Sequence, residues 1–281
     1  MLIVDIEYGG AKMVNDSEPP GKILFVSDVH GLVSQLINLI SFLLYEQKER
    51  IDCVVSLGDF WKGRNFNGQE IVRDHWNDCD VFSSFPINIF HIKGNEDQDI
   101  PDNFWMVTRN VWLMPDEKPF KINGLTLFPV HFTVHDEKQD VVRDVHQYKN
   151  CIDILVSHNP AFGILDNTLH YKTHEVIKTT GSMKIRKYLD EFNPALHLFG
   201  HFHYSNFIKY NKTLVVCLDK MFRVNKMMQK KYSYALVDPV ENTLDVIWRN
   251  RNYLKYNLLE REIKFVDDKR NNLNMVESEY F

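Results

Sequence analysis

Seven polar side chains in this sequence share one setting, just after an apolar run. Asp28 and His30 follow residues 22–27 (KILFVS), and Asp59 follows 52–57 (DCVVSL). Asn95 follows 87–92, His158 follows 152–157, and His201 and His203 follow 195–199. Short apolar runs of this kind read as buried strands. In an open α/β sheet the carboxyl ends of the strands line one rim, where ligands bind, so the seven groups are expected to converge. Carboxylate oxygens, imidazole nitrogens and an amide carbonyl are metal-ligand types, and this mixture suits Mn, Fe, Zn, Ni or Co better than Mg. Seven ligands exceed one tetrahedral site and suit two divalent ions sharing a bridge. Two ions about 3.5–4 Å apart can clamp a phosphoryl group, activate a water and stabilise a leaving oxygen. Taken singly, Asp-x-His or Gly-Asp after a strand carries little. Gly-His-Phe-His at 200–203 carries more, because imidazoles at i and i+2 point to one side of an extended segment. The joint order is the specific signal.

The elements that must position these groups follow from periodicity. After the first strand, apolar residues Leu32, Val33, Leu36, Ile37, Ile40, Leu43 and Leu44 recur at three- and four-residue steps, which predicts a helix over 32–50. Strand, helix, strand, connector and strand then describe a parallel sheet with helices on its faces. The middle of the chain is different, with short strands at 111–114, 119–122 and 125–130. Asn123-Gly124 between the last two is a strong hairpin signal. A strand at 152–157, a helix at 182–192 and a strand at 195–199 follow. The strands at 207–210, 214–218, 233–237 and 243–248 read as antiparallel, with turns at Asn211-Lys212 and Asp238-Pro239. The expected fold class is α/β with two sheets. The expected organisation is an N-terminal extension (1–21), one domain (22–249) and a peripheral C-terminal extension (250–281).

Composition narrows the class. A chain of 281 residues, 44% apolar and 25% charged, can build a core without disulfides or structural metal. Lys and Arg number 33 against 38 Asp and Glu, a formal charge of −5, which weighs against tight binding to long nucleic acids through bulk positive charge. The longest apolar stretch, 39–45, is too short to cross a bilayer, and the N-terminus lacks the pattern of a secretory signal. Cys53, Cys79, Cys151 and Cys217 form no C-x-x-C pair. They read as buried free thiols, and a cytoplasmic location is expected.

The blocks SDVHG (27–31), GDF (58–60), GNED (94–97), SHNP (157–160) and GHFH (200–203) resemble, in order, the five signatures of the calcineurin-like metallophosphoesterases. The stretch 181–203 is also similar to that family's helix and strand before its last histidines. The resemblance implies a two-sheet α/β sandwich. It implies that Asp28, His30 and His203 hold one metal, that Asn95, His158 and His201 hold a second, and that Asp59 bridges them. It also implies in-line attack on phosphorus by a bridging water or hydroxide.

One position departs from the family pattern. Where many members have a histidine that protonates the leaving oxygen, this chain has Glu96. A carboxylate donates a proton only if its pKa rises toward neutrality. The departure favours a phosphodiester substrate, a small molecule or a nucleotide. A phosphomonoesterase and a metal-binding protein without catalysis are the alternatives. Glu96 and Asp97 are the candidate catalytic residues, Asp97 through hydrogen bonds that support the ligands. Arg64 is the candidate phosphate-gripping residue, and Trp61, Phe66 and Trp76 lie in the same region. Of the other histidines, His91 and His197 fall inside strands and are expected in the core. His131 and His135 follow a strand and could face the site, and His170 and His174 fall in a loop.

Overall fold

The computed structural model describes residues 19–61, 87–97, 106–108, 110–132, 145–169, 176–224 and 229–267. The chain opens with β1 (Lys22–Val26), α1 (Val33–Ser41) and β2 (Ile51–Ser56), then continues through β3 (Asn88–His91), β4 (Met106–Thr108) and β5 (Val111–Leu113). The hairpin β6 (Phe120–Ile122) and β7 (Leu125–Val130) leads to β8 (Ile154–Ser157). A small pair, β9 (Asn167–Leu169) and β10 (Val176–Thr179), precedes α2 (Met183–Phe192) and β11 (Leu196–Phe199). Next come β12 (Asn206–Tyr210), β13 (Thr213–Cys217), β14 (Phe222–Val224) and β15 (Lys230–Tyr232). The chain then runs through β16 (Tyr234–Asp238), β17 (Thr243–Trp248), β18 (Arg251–Asn257) and β19 (Glu262–Val266).

Two mixed sheets carry the architecture. One has nine strands in the order β19-β18-β17-β16-β1-β2-β3-β5-β4, and the other six in the order β12-β13-β11-β8-β7-β6. Strands β1, β2, β3 and β5 are parallel, as are β7, β8, β11 and β13. The alternation of side chains along a strand explains the layering. Ile23 and Phe25 pack in the core between the sheets, with Ile154, Val156, Leu196, Leu198, Leu214 and Val216 from the other side. Leu24 and Val26 point the opposite way, onto Leu36, Leu39 and Ile40 of α1. Leu155 and Phe199 turn from the second sheet onto Ile185, Tyr188, Leu189 and Phe192 of α2. Strands covered on both faces need apolar residues on both, which is why their sequences are nearly continuous greasy runs. The result is the expected α/β sandwich, with a helix on each outer face.

The turns follow local chemistry. Asn123 and Gly124 both take positive φ (50° and 82°), as a two-residue hairpin loop between β6 and β7 requires. Helix α2 starts on Ser182, whose Oγ accepts from Ile185 N–H, and stops at Asn193, left-handed at φ 46°. The first helix is shorter than its periodicity predicts. It ends at Ser41 and passes into a π-helical turn, Phe42–Glu46, and the helical run stops where the greasy face gives out into EQKER (46–50).

The boundary at residue 249 does not coincide with the sheet's edge. β18 and β19 extend the nine-stranded sheet, and Tyr253, Leu254, Tyr256 and Leu258 join its core. The alternation of RNYLKYN is broken by register shifts at Val246/Ile247 and Lys255/Tyr256, which hides it from a period-two reading. Cys53 and Cys217 are buried thiols, but Cys151 is exposed, just past the turn that follows Tyr148. Among the described residues no helix is long and apolar enough to cross a membrane.

Candidate metal centre

The seven strand-end residues meet in two linked groups. In the first, Asp28 Oδ1 lies 3.0 Å from His203 Nε2 and 3.8 Å from His30 Nε2, and the two imidazole nitrogens are 3.0 Å apart. In the second, Asn95 Oδ1 is 3.0 Å from His158 Nε2 and 2.9 Å from His201 Nδ1, and those nitrogens are 3.2 Å apart. Asp59 Oδ2 sits 3.4 Å from His158 Nε2. One ligand atom each from Asp28, Asp59 and His158 fall within 4.8 Å of one another, so the buried carboxylates join the groups. Donor atoms bound about 2.1 Å from one ion stand roughly 3.0–3.4 Å apart, which is close to the spacing seen here. The donor set therefore fits divalent cations.

Each ligand is aimed by its backbone. Asp28, His30, Asp59, His201 and His203 all take positive φ, between 49° and 71°. Such residues are uncommon, and their cost persists only where surrounding contacts over-determine them. Those contacts are present. Asp28 Oδ2 accepts from Ser27 Oγ–H (2.5 Å) and from the backbone N–H of His201 (3.1 Å), tying the first strand end of one sheet to the β11 end of the other. Asp28 N–H donates to Gly58 O and His30 N–H to Asp59 O, so the first two loops are laced together. Gly200 must lack a side chain because a Cβ there would meet Ser27 Oγ and the Asp28 carboxylate. Gly58, at φ 97°, leaves room for the His158 ring.

The left-handed turns correct the expectation for Gly-His-Phe-His. The segment is not extended, with His201 at φ 71° and His203 at φ 56°. Its imidazoles do not act side by side. His201 joins Asn95 and His158, while His203 joins Asp28 and His30.

Protonation follows from the same geometry. Burial works to raise Asp28, but the His203 hydrogen bond and the His158 charge hold it well below the usual carboxylate range. Burial works to lower His158, yet Asp59 beside it outweighs that and lifts its pKa to about 9. His158 Nδ1 lies 2.8 Å from Leu57 O and donates there, which leaves Nε2 turned to Asp59 and Asn95. A cation at Nε2 would displace one proton and keep this orientation. Burial lowers His30, and burial with the nearby His158 charge brings His201 down to about 4. These two rings are neutral at pH 7, the form that offers a lone pair.

Glu96 and Asp97 divide the third loop. Glu96 N–H donates to Asp59 Oδ1 (2.8 Å), and Glu96 Oε1 accepts from Asn95 Nδ2 (3.1 Å). That second bond fixes the Asn95 amide so that its oxygen faces the two histidines. Asp97 is fully buried and accepts backbone N–H bonds from Gly94 (2.9 Å), Trp61 (3.1 Å) and Phe60 (3.3 Å). Its carboxyl is lowered despite burial because His91 Nε2 lies 3.4 Å away. Asp97 thus clamps the Asp59 loop to the Asn95 loop.

His91 and His197 are both completely buried, as expected of strand residues. His131 is buried, its N–H given to Asp116 Oδ1. Its neighbour Phe132, passed over in the sequence, lies with its ring 6.2 Å from that of His158 and 6.3 Å from that of His201. The available signal was its place just past the end of β7. Arg64, Phe66, Trp76, His135, His170 and His174 lie outside the described residues. Trp61 is buried in the core with α1.

The model of the calcineurin-like phosphoesterase family matches residues 21–205, a span that contains all seven candidate ligands. Among solved structures, GAP50, described as the anchor in the inner membrane complex of Plasmodium, is 15% identical. The match covers 88% of this chain and 90% of that one, with a TM-score of 0.52. TT1561 of Thermus thermophilus is 14% identical over 87% of this chain and 97% of that one, with a TM-score of 0.49. A novel archaeal phosphodiesterase is 13% identical over 81% of this chain and 99% of that one, with a TM-score of 0.44. The sequence matches none of the curated proteins with which it was compared. A family match over most of the chain, five signature blocks in order and the two-sheet sandwich agree: the chain belongs to the calcineurin-like phosphoesterases.

Proposed function

We propose that this protein hydrolyses phosphoesters with two divalent cations, held by Asp28, His30 and His203 on one side and Asn95, His158 and His201 on the other, with Asp59 between. The observation that carries the reading is the meeting of these side chains from two different sheets at hydrogen-bonding distance. Divalent cations in such a site supply Lewis acidity at phosphorus and lower the pKa of water. The chain's own part is to hold the donors in place, through the Asp28–His201 and Asp59–Glu96 hydrogen bonds, and to keep His30 and His201 neutral. Glu96 points its carboxylate at Asn95 rather than standing free, so its role is to orient that ligand. Among the described residues, with Glu96 engaged at Asn95, no side chain stands as a dedicated proton donor, which suits a diester with a good leaving group, and a small molecule or nucleotide is the proposed substrate. Two buried thiols, Cys53 and Cys217, support a reducing cytoplasmic setting.

The test is metal analysis of the purified protein, with hydrolysis of bis-p-nitrophenyl phosphate against p-nitrophenyl phosphate in Mn²⁺, Ni²⁺ or Zn²⁺. Faster diester turnover is expected. A protein that binds no divalent ion refutes the reading. The engagement of Glu96 favours a second reading, a metal-binding protein without catalysis, and metal uptake with no turnover of either ester would support that instead.

A further inference from the structure

The strand-end rule that gathers the candidate ligands applies equally to β13. β13 runs parallel to β11, so its carboxyl end opens on the same rim as His201 and His203. The residues there are Leu218, Asp219, Lys220 and Met221, and three of the four are pinned. Leu218 N–H donates to Phe199 O (2.8 Å), Asp219 N–H to Ser205 Oγ (3.2 Å) and Met221 N–H to Ser27 O (2.8 Å). The Asp219 carboxylate is buried and accepts from Trp248 Nε1–H (3.0 Å) and Arg249 Nε–H (3.4 Å). The segment therefore spans from the residue before Asp28 in one sheet to the residue two past His203 in the other. Lys220 is half-buried between these anchors. Among the described residues it is a cation delivered to this rim by a strand end.

We propose that Lys220 is a substrate-binding residue that holds a non-bridging phosphoryl oxygen on the Asp28, His30 and His203 side of the site. The inference rests on the phosphoester reading above. An ammonium on a flexible stem suits a phosphate oxygen as a point charge, and its neighbours hold the backbone so that the stem alone must move. Arg64, the cation expected from the sequence, would come from the Asp59 loop; Lys220 comes from the opposite sheet.

Metal-loaded wild type, Lys220→Met and Lys220→Arg would be compared for inorganic phosphate affinity by calorimetry, for metal content, and for KM and kcat with bis-p-nitrophenyl phosphate. Lys220→Met should weaken phosphate binding about tenfold and raise KM by a similar factor with metal content unchanged. Lys220→Arg should recover most of the loss. Equal phosphate affinity in wild type and Lys220→Met overturns the proposal, as does a wild type that binds no phosphate. Metal loss in Lys220→Met, or failure of Lys220→Arg to rescue, also overturns it, because either would mark a merely structural role. If wild type loads metal and hydrolyses no ester while the phosphate difference persists, Lys220 stands and the hydrolase reading falls.

Discussion

The two sheets contribute unlike chemistry to the same site. The nine-stranded sheet sends oxygen donors, Asp28, Asp59 and Asn95, with one imidazole, His30. The six-stranded sheet sends imidazoles, His158, His201 and His203. The charged donors are steadied by backbone N–H groups, as when Asp28 takes the His201 N–H and Asp59 the Glu96 N–H. The imidazoles are steadied by burial and by an acceptor, as when His158 gives Nδ1–H to Leu57 O. An anion needs donors to be buried at low cost, whereas an imidazole N–H needs an acceptor. Neither sheet alone supplies either group, so the candidate site depends on the seam between them.

Removing charge from the acidic side should break this division most severely. Asp59→Asn keeps the shape and loses the carboxylate that stands 3.4 Å from His158 and beside Asp28, and turnover should fall by about two to three orders of magnitude. Unchanged circular dichroism with lost ester hydrolysis is the expected pairing. Asp97→Ala attacks the clamp instead. It strands three backbone N–H groups and the His91 ring in the interior, and should cost about 3 kcal/mol of stability by denaturant unfolding.

The imidazole side is sharpened by pH. In metal-free protein His158 is raised to about 9, above its unfolded value. Its stabilising contribution is therefore full below about pH 6.5 and lost as pH rises through 9. A cation must displace that proton, so metal affinity measured by calorimetry should tighten by up to about tenfold per pH unit between about 6.5 and 9. His197 gives the opposite sign. Burial lowers it to about 3, so stability is full above about pH 6.5 and declines as pH falls toward 3. His197→Phe should flatten that acid limb in thermal melts. The smallest effect is expected for Glu96→Gln. The Gln carbonyl can still accept from Asn95 Nδ2, so activity should stay within about threefold, whereas loss of a general acid would cost about a hundredfold or more.

Much of this was legible from residue order. Residues 22–27, 52–57 and 152–157 are mostly apolar because both sheet faces are covered, and each is followed by a polar group of ligand type. Asn123-Gly124 declared its hairpin through the left-handed backbone both residues accept. The strands at 251–257 and 262–266 were hidden because bulges interrupt their alternation and charged residues crowd a sheet edge. The split between His201 and His203 was illegible to strand geometry, since it depends on two left-handed residues held by contacts from the other sheet.

By itself, then, the sequence determined which residues stand at the strand ends and that those ends share a rim, because apolar periodicity and strand direction are local properties. Only the tertiary structure decided which donors pair, that Glu96 faces Asn95, that Asp97 clamps two loops and that Lys220 arrives from the far sheet. These outcomes depend on distances between chain segments far apart in sequence, and no local pattern encodes such distances.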